Sequence, residues 1–412
     1  MDEVERREWH TLTSTINFDV LRQRASALRG GTPCSIPSSN DEEIDEGLRG
    51  AWNSHLPLLF EDGRRWICRV RRQHVRSPNL DMQNILIAGE VAILRFLSSI
   101  GLPVPEVHEF ALHSTDNPVG IGYILMEMLD GKALKWEDID DSPKPHLLDQ
   151  LADIYIKLSH HPFDTIGSFV SPSDPHQIGP LNNIQVTDTS PDGSLSLIGP
   201  FNTTEAYFTS LLNRHLELIL TGKAYKEGRV DAYLFHLHLL KHIPEILRLL
   251  KGDSSKFYLC HMDDWGNHIL VDDAYNITGI IDWEWAQTVP WSLAFAPPLF
   301  LPDHAKYIKG DNSLCDDEIL FADIFQAKGE PELARSIRDG RIRQRLDLCI
   351  GGQVWKRSNW FDPQFQGLQV LLFGPDHPEI EWEAWRAAAM KRYENDAGLK
   401  VLLREESDSI PK

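Results

Sequence analysis

The chain has 412 residues, with 61 acidic and 41 basic side chains and a formal balance of −20 at neutral pH. Proteins that coat nucleic acid or anionic membranes rely on clustered Lys and Arg, so a surplus of this sign excludes both as main partners. The length suggests about two or three lobes, and 42% hydrophobic residues describe a chain with a sizeable buried core rather than a disordered one.

In chain order, residues 1–46 are mixed and polar, end in the turn-rich stretch Pro33 to Asn40, and read as an extension outside the main core. Two β-rich runs follow, Leu56–Phe60 and Trp66–Val70. They are joined by Glu61-Asp62-Gly63-Arg64, and Asp-Gly between β-formers is a strong hairpin signal. Pro57 has no N–H for a ladder, which makes its run a strand start or a sheet edge. From about Asp81 to Ile100, the residues Ile87, Val91, Leu94 and Leu97 recur at three- and four-residue spacing, the stripe of an amphipathic helix. Glu90 falls on that apolar face, and a buried carboxylate there needs a cationic partner. Pro103 and Pro105 break the chain, and Gly122–Met128 reads as another strand.

The remainder is mainly helical. Leu147, Leu148, Leu151, Ile154, Tyr155 and Leu158 mark one helix, and further helical patterns cover Thr204 to Leu220 and Val230 to Leu250. Pro191-Asp192-Gly193 reads as a surface hairpin, and the acidic end after Leu403 as a solvated tail. The expected fold class is α+β, with an extension over 1–46, a small β-rich lobe over 47–128, a large helical lobe over 129–403 and a tail over 404–412. Cys34, Cys68, Cys260, Cys315 and Cys349 form no CxxC pair, and they read as reduced thiols of a cytoplasmic protein. No apolar run approaches the ~20 residues that span a bilayer.

The segment richest in chemistry runs from Phe257 to Glu284. It holds a loop of His261, Asp263, Asp264, Asn267 and His268, a short strand, a polar turn, a second short strand, and then Asp282. Such a hairpin returns Asp282 beside the loop that precedes the first strand and gathers oxygen ligands suited to a hard cation such as Mg²⁺. Phosphoryl transfer needs one carboxylate to orient a hydroxyl and others to hold a metal. Asp272, Asp273 and Asn276 read as turn residues only. Arg64, Arg65, Arg69, Arg71, Arg72 and Arg76 form a basic cluster, with Arg69 expected inward and the others on a solvated face.

His261-Met-Asp263, Ile269-Leu-Val-Asp272 and Gly279-Ile-Ile-Asp282-Trp-Glu284 together resemble the aminoglycoside phosphotransferase and choline-kinase-like family, which has a bilobal protein-kinase-like fold. The resemblance runs from about Gly47 to Phe300 and includes the strand around Arg69, the helix with Glu90 and the segment Tyr123–Met128. It implies ATP and Mg²⁺ as cofactors, a small-molecule hydroxyl as acceptor, Asp263 as the catalytic carboxylate and Asp282 as the principal metal ligand. It also implies that Arg69 meets the nucleotide phosphates and pairs with Glu90, that the backbone of Glu127 and Met128 faces the adenine, and that His261 holds the loop. Where the family has a metal-binding Asn, this chain has His268, with Asn267 one residue earlier; Arg69 stands where the family has Lys. The cover loop Gly47-Leu-Arg-Gly50-Ala-Trp52 has two glycines. These departures keep two rival readings open, a pseudokinase that binds nucleotide or metabolite, and a kinase fold turned to another transfer in a biosynthetic pathway. Trp265 and Glu284 are the acceptor-pocket candidates, an aromatic beside a carboxylate suiting a cationic or ring-bearing acceptor. The helical region from Phe300 onward carries no further motif.

Overall fold

The computed structural model describes residues 3–37, 50–74, 77–190, 192–225, 227–250, 255–350, 361–378 and 380–409. They divide into two compact units, Met1–Leu134 with Phe169–Ile178 and Asn267–Ala286, and Lys135–Ser168 with Gly179–Gly266 and Gln287–Lys412.

The first unit is built on an antiparallel sheet of order β1-β2-β3-β5-β4, with β1 at Cys34–Ser35, β2 at Asn53–Phe60, β3 at Arg65–Arg71, β4 at Val107–Ala111 and β5 at Tyr123–Glu127. The β2–β3 turn closes with Gly63 at φ +85° and the Phe60 N–H donating to the Arg64 carbonyl at 2.9 Å. Pro57 faces Ile67 of β3, while β1 pairs only with Phe60 and Leu59, so the proline lies where β2 is an edge among the described residues. Helix α3, Leu80–Ser99, starts where the Asn79 side chain accepts the Met82 N–H at 3.0 Å. Ile87, Val91, Leu94 and Leu97 are all buried, as their spacing requires. A further strand, β6 at Lys132–Ala133, joins the hairpin of Ile269–Val271 and Ile277–Ile280 in a three-stranded sheet.

The expectation for residues 1–46 is corrected. Helices α1, Glu3–Thr15, and α2, Phe18–Leu28, bury Trp9, Leu12, Ile16, Leu21 and Ala25 in one core with Leu56, Leu58, Trp66, Cys68, Val70 and Leu125. An antiparallel sheet has two faces to cover, and these helices supply one of the covers. Residues 38–49, including Gly47, Leu48 and Arg49 of the expected cover loop, lie outside the described residues.

The second unit is mainly helical, with α4 at Lys144–Ser159, α5 at Thr204–Leu220 and α6 at Arg229–Lys241. The pattern over Val230 to Leu250 splits into α6 and a separate helix, Ile243–Leu249, because Pro244 cannot sit inside a helix and takes its first turn instead. The expected surface hairpin is present as Asp188–Thr189 paired with Leu195–Ser196. Strand Phe257–Cys260 pairs with Gln287–Pro290, and the chain continues through helices that include Asp316–Ala327, Arg341–Ile350, Phe361–Phe373 and Ala397–Ser409. The last of these corrects the expected tail over its described part: residues 404–409 are helical, with 404–408 exposed, and 410–412 lie outside the described residues. The division into units also departs from the expected boundaries, since Asn267–Ala286 belongs with the sheet. Among the described residues, no helix is long and apolar enough to cross a membrane.

Candidate active site

In the first unit, the side-chain alternation of β3 puts Trp66, Cys68 and Val70 into the core shared with α1 and α2, and Arg69 and Arg71 on the opposite face. Arg69 Nη1 donates to Glu90 Oε1 of α3 at 2.7 Å and lies 3.0 Å from Asp282 Oδ1. Arg69 Nη2 lies 3.2 Å from Glu284 Oε1, and Arg71 Nη2 lies 2.6 Å from Glu284 Oε2. Asn53, the cross-strand partner of Arg71, donates its Nδ2 to Glu284 Oε1 at 3.0 Å. Arg69, Arg71, Glu90 and Glu284 are buried, and the Asp282 side chain is 41% exposed. Burial alone would weaken the hold of Arg69 on its proton, but Glu90, Asp282 and Glu284 more than reverse it and raise its pKa. Burial pushes the Glu90 carboxyl up to about 7 against the pull of Arg69.

Asp282 leaves the 269–280 hairpin at φ +62°, a left-handed backbone uncommon outside glycine. The buried indole of Trp283 closes the turn, its Nε1–H donating to the Ile280 carbonyl at 3.0 Å. The hairpin pairs Ile269 with Ile280, and the Ile281 N–H donates to the His268 carbonyl at 2.9 Å. Asn267 is exposed and His268 is buried, so the amide and not the imidazole is on the open side of this ladder.

In the second unit, the loop after Phe257–Cys260 begins with buried His261, and the Asp263 N–H donates to the His261 carbonyl at 2.8 Å. Met262 between them takes φ +61°. Asp263 is exposed, whereas its neighbour Asp264 is buried with Oδ2 at 3.5 Å from Nη1 of Arg343, on helix Arg341–Ile350. Trp265 is 52% exposed and stacks on His304, ring centroids 5.9 Å apart.

Three expectations are corrected. Glu284 does not line an acceptor pocket, because both its oxygens are engaged by Arg69, Arg71 and Asn53. Glu127 and Met128 do not offer their N–H groups to a base, since these donate to the Glu106 carbonyl at 2.9 Å and the Arg65 carbonyl at 3.2 Å. Arg71 is not on a solvated face but buried beside Arg69, and Arg72 is half-buried and bonded to Glu8 at 2.8 Å and 2.7 Å. Arg64 and Arg65 are exposed as expected, and Arg76 lies outside the described residues. Period-two counting from Arg69 was the available signal for Arg71; no local signal marked Asn53, Asp264 or Arg343.

The Asp282 carboxylate and the exposed Asn267 amide offer oxygens of the kind Mg²⁺ takes, whereas His268 is buried. Among the described residues, no three His, Cys, Asp or Glu side chains are grouped to hold a metal, so a cation here would complete its shell with water and phosphate oxygens.

A model of the phosphotransferase enzyme family matches residues 50–291. The chain is 30% identical over 295 residues to clavilactone A biosynthesis cluster protein Y of Ampulloclitocybe clavipes, which covers 68% of each protein. It is 32% identical over 142 residues to a subtelomeric hrmA-associated cluster protein of Aspergillus fumigatus, covering 33% of this chain and 27% of that one. Among solved structures it aligns with a thermostable mutant of aminoglycoside phosphotransferase APH(4)-Ia in ternary complex with ADP and hygromycin B, with a TM-score of 0.46 and 15% identity over 87% of this chain and 99% of that one. Plasmodium vivax ethanolamine kinase aligns with a TM-score of 0.45 at 15% identity over 82% of each chain. The family model takes in the whole sheet, α3, the loop with Asp263 and the Asp282 turn, and on that match the chain belongs to the phosphotransferase enzyme family.

Proposed function

We propose that the protein transfers the γ-phosphate of ATP to a hydroxyl of a small molecule. The observation that carries this reading is the joining of Arg69 to Glu90 and Asp282, which brings a phosphate-binding cation and a metal-binding carboxylate into one cluster. Arg69 would hold the nucleotide phosphates as a charge-assisted donor. Bound Mg²⁺ would offset the phosphate charge, with Asp282 and Asn267 as its protein ligands. Asp263 would accept the proton of the acceptor hydroxyl as its oxygen bonds to the γ-phosphorus, and the bond to the bridging oxygen of ADP breaks. Residues 47–128 serve in this reading as the nucleotide-binding part, and the helical region within 129–403 as the acceptor part, with exposed Trp265 as an acceptor contact. The cluster protein among the relatives favours an intermediate of a biosynthetic pathway as acceptor. Five free cysteines suit a cytoplasmic location.

The test is ADP release over amino-alcohol, aminoglycoside, polyol and phenolic acceptors, with Asp263→Ala and Asp282→Ala as controls. Turnover abolished by both substitutions is the expected result. A second reading, nucleotide or metabolite binding without transfer, is favoured by buried His268 standing where the family has a metal-binding Asn. Thermal stabilisation by ATP and Mg²⁺ with no turnover on any acceptor would establish it over the first.

A further inference from the structure

We propose that Arg71 and Glu284 form a charged clasp that fixes the Asp282 turn in its metal-binding position before any ligand arrives, Glu284 acting as a positioning residue and not as a substrate contact. The inference rests on the reading of Asp282 as a metal ligand. Asp282 sits at φ +62°, a conformation that costs a non-glycine residue free energy and persists only where its surroundings over-determine it. Its neighbours in sequence do so. Trp283 is tied back to Ile280, and Glu284 is held by three side chains of the sheet, at 2.6 Å to Arg71, 3.2 Å to Arg69 and 3.0 Å to Asn53. Arg71 and Asn53 are themselves opposite each other across β2 and β3, so the turn is fastened to two adjacent strands.

Charge explains why a second arginine is present. Arg69 faces three carboxylates, Glu90, Asp282 and Glu284, and one guanidinium cannot balance three buried or half-buried anions. Arg71 supplies a second cation, which leaves one carboxylate over, and its guanidinium carbon lies over the Trp285 ring at 5.6 Å from the centroid. When Asp282 turns to a cation, Glu90 still pairs with Arg69 and Glu284 with Arg71, two carboxylates against two guanidiniums. The clasp therefore survives ligand binding.

The test compares wild type with Arg71→Met, Glu284→Gln and the double variant. Two readouts are taken: hydrogen exchange of residues 281–286 in the ligand-free protein, and calorimetric ADP affinity with and without Mg²⁺. The expected result is faster exchange over 281–286 with β5 still protected, and loss of the Mg²⁺-dependent part of ADP affinity by about ten-fold or more, as for other residues that orient metal ligands. Metal-free ADP affinity should be retained. The double variant removes both charges together and keeps the fold if either single variant does not. Equal loss of affinity with and without Mg²⁺ would make Arg71 a direct phosphate contact and overturn the proposal. A lowered melting temperature with unchanged exchange and unchanged Mg²⁺ dependence would overturn it as well. If wild type binds no ADP under either condition, the phosphotransferase reading fails, and the exchange comparison alone then decides whether the clasp holds the turn.

Discussion

Two adjacent aspartates, Asp263 and Asp264, have the same side chain and opposite surroundings. Asp263 is exposed, while Asp264 is buried with its Oδ2 3.5 Å from Nη1 of Arg343. A buried ion pair adds little over an apolar substitute, but removing one partner leaves the other charge uncompensated. Asp264→Ala is therefore expected to cost about 3 kcal/mol of stability in urea denaturation, and Asp263→Ala, at an exposed side chain, to cost less. Equal losses for the two would refute the assignment. In the double variant Asp264→Leu with Arg343→Met, the loss should be smaller than the sum of the single losses. Asp263 stands out in the sequence because the motif around it is local. Asp264 does not, because its partner lies 79 residues further along the chain, and separations of that size leave no pattern in neighbouring residues. The same applies to Glu284, whose bond to Asn53 spans 231 residues.

At the scale of elements, the N-terminal helices α1 and α2 belong to the architecture of the sheet. Leu12 and Leu21 are almost fully buried, the Asn17 N–H donates to the Val119 carbonyl at 2.8 Å, and a Cβ at Gly120 would meet the Thr15 carbonyl oxygen at 2.3 Å. Leu21→Ala should destabilise the protein by about 2–5 kcal/mol, whereas Val4→Ala, at a side chain 75% exposed, should stay within about 0.5 kcal/mol. Gly120→Ala should also destabilise, by at least about 1–2 kcal/mol, because φ there is +89° and the approach is to backbone. Chemical denaturation followed by tryptophan fluorescence checks all three, and an unaffected Leu21→Ala would return residues 1–28 to the status of an appendage. The reason these helices read as an extension is physical. α1 buries only Trp9 and Leu12 and carries Glu3, Glu5, Arg6 and Arg7 on its outer side, so its composition is polar although its inner face is not. The hairpin, α3 and the 269–280 hairpin were legible because turn chemistry, a helical stripe and short β runs are written into contiguous residues. Which sheet face needs covering is decided only when the strands pair.

For the whole molecule, the balance of −20 would suggest that mild acid stabilises the fold by relieving repulsion. The buried histidines argue the reverse. Burial holds His215 at about 3, His236 at about 4 and His238 at about 3, all on α5 and α6. The Nδ1 of His236 is bonded to the Ala232 carbonyl oxygen at 2.7 Å, and the Nε2 of His238 lies 2.9 Å from the Gln369 amide nitrogen. An unfolded histidine takes up its proton near pH 6.5, so below that pH the unfolded chain binds protons the folded one refuses, and each histidine removes up to about 1.4 kcal/mol per pH unit. By pH 5 that is about 2 kcal/mol for each. Glu90 has the opposite sign: its raised carboxyl, at about 7, binds a proton more tightly when folded, so its penalty is largest at high pH and fades as the pH falls. It offsets roughly one of the three histidines. Surface carboxylates titrate mostly nearer pH 4 and give little relief between pH 6.5 and 5. The net expectation is a loss of about 3 kcal/mol over that interval, read from urea midpoints at fixed ionic strength. His236→Gln should make that decline shallower by about 1.4 kcal/mol per pH unit even where it lowers stability at pH 7. A stability that rises steadily from pH 7 to pH 5 would show that relief of surface charge outweighs the buried imidazoles.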